Sequence, residues 1–229
     1  MSAQSQPRRR RSSDDRDRTA RARIRDAAIE RFAENGVAAT NLKDIAADAG
    51  VSTPLVIHHF GSKDGLRVAC DEHVASLIKE QKTKAMAASR GFDPFQAVRE
   101  AYEGTPIIRY LAKTIVDGSP HVDELIDEMI EDALVYMAEG VENGILKPAE
   151  NPREQAIALM LWQLGALVMH EQVKRLLGID LIDNTFGSAL KWARINADIL
   201  AKGVMNEEFY DKWRDAMKAA EQQPEQQPE

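Results

Sequence analysis

Several large classes of protein are closed to this sequence by what it lacks. A single cysteine, Cys70, in 229 residues leaves no intrachain disulfide and no CxxC zinc knuckle, which fits a reducing compartment. The longest apolar run, Ala156 to Met169, has 14 residues and contains Gln163, short of the roughly 20 that span a bilayer. Arg8, Arg9, Arg10 and Arg11 near the start have no apolar stretch behind them, unlike a secretory signal. The expectation is a cytoplasmic protein with no membrane partner. Strand-like alternation and internal repeats are absent. So are GxGxxG, GxxxxGK[ST] and GxSxG, the carriers of nucleotide binding and serine hydrolase chemistry. His170-Glu171 begins like the zinc protease motif HExxH, but Lys174 stands where the second histidine belongs. His58 and His59 are neighbours, about 100 degrees apart on a helix, with no third ligand nearby in sequence. No catalytic residue, metal or cofactor is assigned, and no enzyme is expected.

What the chain does have is charge unevenly placed. The total of 30 basic and 37 acidic residues gives -7, but Met1 to Cys70 holds 13 basic against 9 acidic residues and the remainder 17 against 28. The first third is the part suited to a polyanion. Hydrophobic residues make up 44%, enough for one medium domain or two small ones sharing a core.

Residues 1–18 and 221–229 lack an apolar period and are expected to be a disordered basic arm and a disordered tail. Between them a 3.6-residue period dominates, with Gly and Pro at helix-length intervals, which predicts an all-α protein. The predicted helices are Thr19 to Asn35, Leu42 to Ala49, Thr53 to His59 and Lys63 to Arg90, then Pro94 to Glu103 and Pro106 to Asp117. Val122 to Glu142, Pro152 to Leu177, Thr185 to Lys202 and Asn206 to Ala220 follow. Pro94, Pro106 and Pro152 stand where a first turn tolerates the missing N–H.

Ile24, Ala28 and Phe32 recur at i, i+4 and i+8 in the first helix, which ends at Asn35-Gly36. Asn41 caps the second helix, with Leu42, Ile45 and Ala46 inward and Gly50 ending it. Ser52 caps the third, Pro54 sits in its first turn, and Val56 and Phe60 continue the stripe. Helix, glycine-containing turn and short helix describe a helix-turn-helix.

The run Ala28 to Leu66 resembles the DNA-binding domain of the TetR family of bacterial transcriptional repressors. The likeness rests on Phe32 with Gly36, Asp44-Ile45-Ala46, Ala49-Gly50-Val51-Ser52, and His59-Phe60-Gly61-Ser62-Lys63 closing onto Leu66. It implies an N-terminal three-helix domain over residues 19–66 joined to a C-terminal helical effector-binding and dimerisation domain over 67–220. It further implies a homodimer on a palindromic double-stranded operator, released by a small-molecule effector. The third helix would enter the major groove. DNA contact is expected from Asn41, Ser52, Thr53, Pro54, Leu55, Ile57, His58, His59 and Lys63. Ser52, Thr53 and Leu55 can reach base edges and thymine methyls. The helix starts at Asn41 and Ser62, with Lys63, suit phosphates. Thr53 and Ile57 depart from the basic residue and the tyrosine that many members carry, so two common polar contacts are missing. The arginine cluster could compensate as a flexible arm in the minor groove, or remain a solvated tail.

Ala156 to Met169 is apolar nearly all round, which requires cover on more than one side. Pro152 to Leu177 and Thr185 to Lys202 are the expected dimer helices, with Gly165, Ala166, Gly187 and Ala193 permitting close approach. Candidate effector contacts are Tyr102, Tyr110, Met129, Met137, Trp162, Gln163, Met169 and His170, and a largely hydrophobic effector is expected. The acidic run DELIDEMIED, Asp123 to Asp132, places its carboxylates opposite Leu125, Ile126, Met129 and Ile130, on a solvated face. The competing reading is an effector-independent adaptor or nucleoid protein with a protein partner. A closed core without a cavity would favour it.

Overall fold

The structure, a computed structural model, describes residues 13–87, 99, 106–118, 121–182 and 185–221. Among these residues every regular element is a helix. We label them α1 (Ser13–Ala39), α2 (Leu42–Asp48), α3 (Thr53–Phe60), α4 (Lys63–Ala87) and α5 (Ile107–Asp117). They continue as α6 (Val122–Glu142), α7 (Pro152–Val168), α8 (His170–Leu177), α9 (Phe186–Lys202) and α10 (Glu207–Glu221). Apart from residue 99, the expected helix over Pro94 to Glu103 lies outside the described residues, as do the arginine cluster, Tyr102 and the end of the expected fourth helix.

Two sequence expectations need correction. Residues 13–18 were expected in the disordered arm, but the backbone is already helical from Ser13. The expected single helix over Pro152 to Leu177 is two helices, bent by 77° at Met169. Neither Gly nor Pro stands at Met169, so the sequence carried no break signal there; tertiary burial supplies the reason. The bend brings the chain back so that Ile179 and Leu181 are buried. Lys191 Nζ donates to the Leu177 carbonyl at 2.5 Å, and Lys174 pairs with Asp180 at 2.6 Å.

Caps set the other boundaries. Asn41 Oδ1 accepts from Asp44 N at 2.9 Å, Ser62 Oγ from Gly65 N at 3.0 Å, and Asn151 Oδ1 from Glu154 N at 3.3 Å. Pro106 and Pro152 take the helix-start positions their missing N–H favours. Ser52 is the N-cap of α3 by position, but its hydroxyl makes no capping bond. Gly36 interrupts α1 at φ 76°, ψ 163°, a region essentially reserved for glycine.

Two apolar clusters organise the packing. The first joins Ile24, Ala28 and Phe32 of α1, Ile45 of α2, Val56 of α3, and Leu66, Cys70 and Val74 of α4. It continues past residue 66 and takes in Ile107 and Tyr110 of α5. The second joins Ala75 of α4, Leu111 of α5, Leu125 and Met129 of α6, and Leu164 of α7. Helices α4 and α5 therefore belong to both clusters.

Candidate functional site

The helix-turn-helix presents a surface built on a small apolar anchor. Val56 is fully buried, which fixes the rotation of α3 and turns Ser52, Pro54, Ile57 and His58 outward. Thr53, Leu55 and His59 are half-buried beside them. Asn41 is exposed at the start of α2, its amide committed to Asp44 through both Oδ1 and Nδ2. Arg31 and Asp48 pair bidentately across α1 and α2, and the guanidinium holds the Asp48 carboxyl below its ordinary range. The Arg21 guanidinium lies 5.2 Å from the Phe60 ring centre.

Lys63 has a partner that sequence reasoning did not foresee. Its ammonium donates to the carbonyls of Val37 at 2.7 Å, Ala38 at 3.4 Å and Thr40 at 2.8 Å. It thus satisfies carbonyls at the end of α1. The turn between α3 and α4 is equally constrained. A Cβ on Gly65 would overlap the Phe60 backbone carbonyl, so only glycine lets α4 start this close to the end of α3.

The second site is a cavity of about 360 Å³ between α4, α5, α6, α7 and α9. Of the sequence candidates, Met129, Met137 and Gln163 line it. Gln163 Nε2 donates to Asn196 Oδ1 at 3.2 Å, the partner that a polar group in an apolar stretch requires. Tyr110 does not line it. That side chain is fully buried in the first cluster, its hydroxyl donating to Asp71 Oδ1 at 2.6 Å. Trp162 and Met169 are exposed and His170 is half-buried, none of them at the cavity wall. Sequence reasoning missed Ile78, Gln81, Lys82 and Met86, four wall residues from the far half of α4. Their spacing reads as an ordinary amphipathic helix, and only the placement of α4 over the bundle reveals their use.

A buried polar cluster lies between α4 and α5. Arg67 and Asp71, one turn apart on α4, are both buried, with Arg67 Nε 3.8 Å from Asp71 Oδ2. Burial pushes the Asp71 carboxyl above its ordinary range, an effect opposed by the Tyr110 hydrogen bond and by Arg67. Burial also raises the Cys70 thiol far out of the reactive range. Among the described residues no helix is long and apolar enough by itself to cross a membrane, and no group of three or more acidic, His or Cys side chains could hold a metal ion.

The comparisons with known proteins agree with this architecture. Residues 24–70 match the model of bacterial regulatory proteins of the tetR family, and residues 100–190 match the tetracyclin repressor-like C-terminal domain. The chain is 40% identical over 157 residues to the HTH-type transcriptional regulatory protein RaaS of Mycobacterium tuberculosis, covering 69% of this chain and 74% of that one. It is 34% identical over 99 residues to the HTH-type transcriptional repressor Rv3405c of the same organism, covering 43% of this chain and about half (48%) of that relative. Among solved structures, Salmonella enterica GusR superposes with a TM-score of 0.53 at 18% identity, over 83% of this chain and 98% of the other. Reduced E. coli NemR gives 0.53 at 18% identity, over 75% and 92%. A three-helix reader closed by α4, an all-helical body behind it, and matches to both family models across these two parts lead to one conclusion: the chain belongs to the TetR family of transcriptional regulators.

Proposed function

We propose that this regulator is a homodimeric repressor in the cytoplasm, released from its operator by a small, largely apolar effector bound in the α4–α7 cavity. The observation that carries the reading is the course of α4. This helix supplies Leu66, Cys70 and Val74 to the core of the DNA-reading unit and Ile78, Gln81, Lys82 and Met86 to the cavity wall. Its 25 residues span about 37 Å at 1.5 Å per residue. An effector that favours a different tilt of α4 changes the separation of the two recognition helices from the roughly 34 to 36 Å that fits successive major grooves. Helix α5 gives the lever a second hold, since Ile107 and Tyr110 pack in one cluster and Leu111 in the other.

The contact residues on DNA are Asn41, Ser52, Thr53, Pro54, Leu55, Ile57, His58 and His59, with the exposed ones meeting base edges and backbone first. Lys63 acts chiefly by holding the end of α1. Dimerisation is supported by the apolar side chains that α7 and α9 leave exposed, Leu161, Trp162, Val168 and Leu200 among them. Gly165 and Gly187 face open space and permit close helix approach.

The test is a titration of purified protein against genomic DNA fragments at several salt concentrations, followed by competition with candidate effectors. Sequence-specific binding with a steep salt slope, weakened about 5 to 150 fold by an effector, is the expected result. Binding without sequence preference would favour the adaptor or nucleoid reading, and a specific complex that no ligand weakens would reject the lever.

A further inference from the structure

The cavity wall is apolar with one pronounced exception. Lys82 is the only charged side chain among the described residues that line it. The neighbouring α4 lysines are spoken for, Lys79 by Asp132 at 2.5 Å and Lys84 by Glu80 at 2.6 Å. Lys82 makes no hydrogen bond or ion pair with the described residues. Its side chain is exposed to solvent where it lines the cavity. The protein atoms gathered around it lower its pKa below the ordinary lysine range. A cation with no described partner, set in an otherwise apolar wall, has as its natural complement an anion brought in from outside.

We propose that the effector is an apolar molecule carrying one carboxylate, its body among Ile78, Met129, Met137 and Leu164 and its carboxylate on Lys82 Nζ. The polar atoms of Gln81, Gln163 and Tyr136, also at the wall, remain to orient the head group. At about 360 Å³ the cavity lies in the range of roughly 300–1,000 Å³ that takes small-molecule ligands, a class that includes medium-chain carboxylates. This inference rests on the effector reading given above, and it adds the charge of the ligand and the residue that meets it.

The test uses the full chain and three probes of one length: decanoate, decanol and decylamine. Calorimetry on the wild type should show decanoate binding about ten- to a hundredfold more tightly than decanol, the range for a hydrogen bond to a charged group. Decylamine should bind more weakly than decanol. In Lys82→Met the advantage of decanoate should vanish while decanol affinity stays within about threefold, and Lys82→Arg should restore much of it. Circular dichroism checks that both variants fold; replacing an exposed side chain should leave the thermal midpoint of Lys82→Met close to that of the wild type. Equal affinity for decanoate and decanol, no binding of decanoate, or a preference that survives Lys82→Met overturns the proposal. Tight, Lys82-dependent binding of decanoate that leaves DNA affinity unchanged supports the assignment of Lys82 and sinks the release mechanism instead.

Discussion

Replacing Tyr110 by Phe removes one oxygen from a buried polar contact between α4 and α5. The ring is fully buried and its hydroxyl donates to Asp71 Oδ1 at 2.6 Å, while Asp71 is itself 5% exposed. Without that donor, the carboxylate keeps Arg67, whose Nε stands 3.8 Å from Oδ2, and the attraction of His121. The loss is that of a hydrogen bond to a charged group between buried partners, about 1.5–3 kcal/mol. For a chain of this size the thermal midpoint should fall by roughly 3 to 12 °C. The pH dependence identifies the cause. Burial raises the folded-state pKa of Asp71, so the native state binds the extra proton and this group's contribution to stability declines as pH rises from about 4 through that raised value. Losing the Tyr110 donor raises the folded pKa further, which extends the decline to higher pH. The difference between wild type and variant should therefore be largest near pH 7 and shrink on acidification, where Asp71 is protonated in both proteins. Urea unfolding followed by circular dichroism between pH 4 and 8 measures this. A difference under about 0.5 kcal/mol, or one independent of pH, would refute the claim that Tyr110 supports a buried carboxylate.

Other substitutions probe the DNA-reading unit and the dimer. Gly65→Ala should cost roughly 1–3 kcal/mol of stability, since the methyl group meets the backbone of Phe60; an unchanged urea midpoint would contradict the close approach. Lys63→Met should destabilise by about 1–2 kcal/mol through the carbonyls it leaves at the end of α1. If the ammonium instead meets phosphate, stability is preserved and the salt slope of DNA binding falls by about 1. Leu161→Asp, placed on the exposed apolar face of α7, should convert the protein to a monomer in sedimentation and abolish specific DNA binding. A dimer that survives this change locates the interface elsewhere.

The parts of the fold legible in the sequence are those set by local rules. The cap at Asn41, Pro106 and Pro152 at helix starts, and the stripe Ile24, Ala28 and Phe32 each depend on neighbours a few residues away, and all stand where spacing places them. The bend at Met169 was not legible, because its cause is the burial of Ile179 and Leu181 ten or more residues later. Tyr110 stands at a helix position that suits an inward-facing effector contact, but position alone could not say that its hydroxyl is taken by Asp71 on another helix.

Lys82 shows the same limit from the opposite side. In the sequence it is one of several lysines in an ordinary run, Lys79 to Lys84, where charge marks a solvated helix face. Its distinction comes from the placement of α6 and α7 around α4, which gives Lys79 an acidic partner and puts Lys82 at a wall of methionines and leucines. A lone cation in an otherwise apolar wall is matched best by an anionic ligand. The helix that carries this charge also carries Asp71 one cluster away and Leu66 beneath the recognition helix. An anion drawn to Lys82 pulls on the same rod that sets the reading heads, and the coupling should weaken when α4 is interrupted between the two. Ala75→Gly, at the buried midpoint where the clusters meet, should cost about 1 kcal/mol in helix propensity. Ligand affinity should change little, while the ligand-induced loss of DNA affinity falls toward zero. Undiminished coupling in that variant would show that the signal runs through α5 and its contact with α1 rather than through α4.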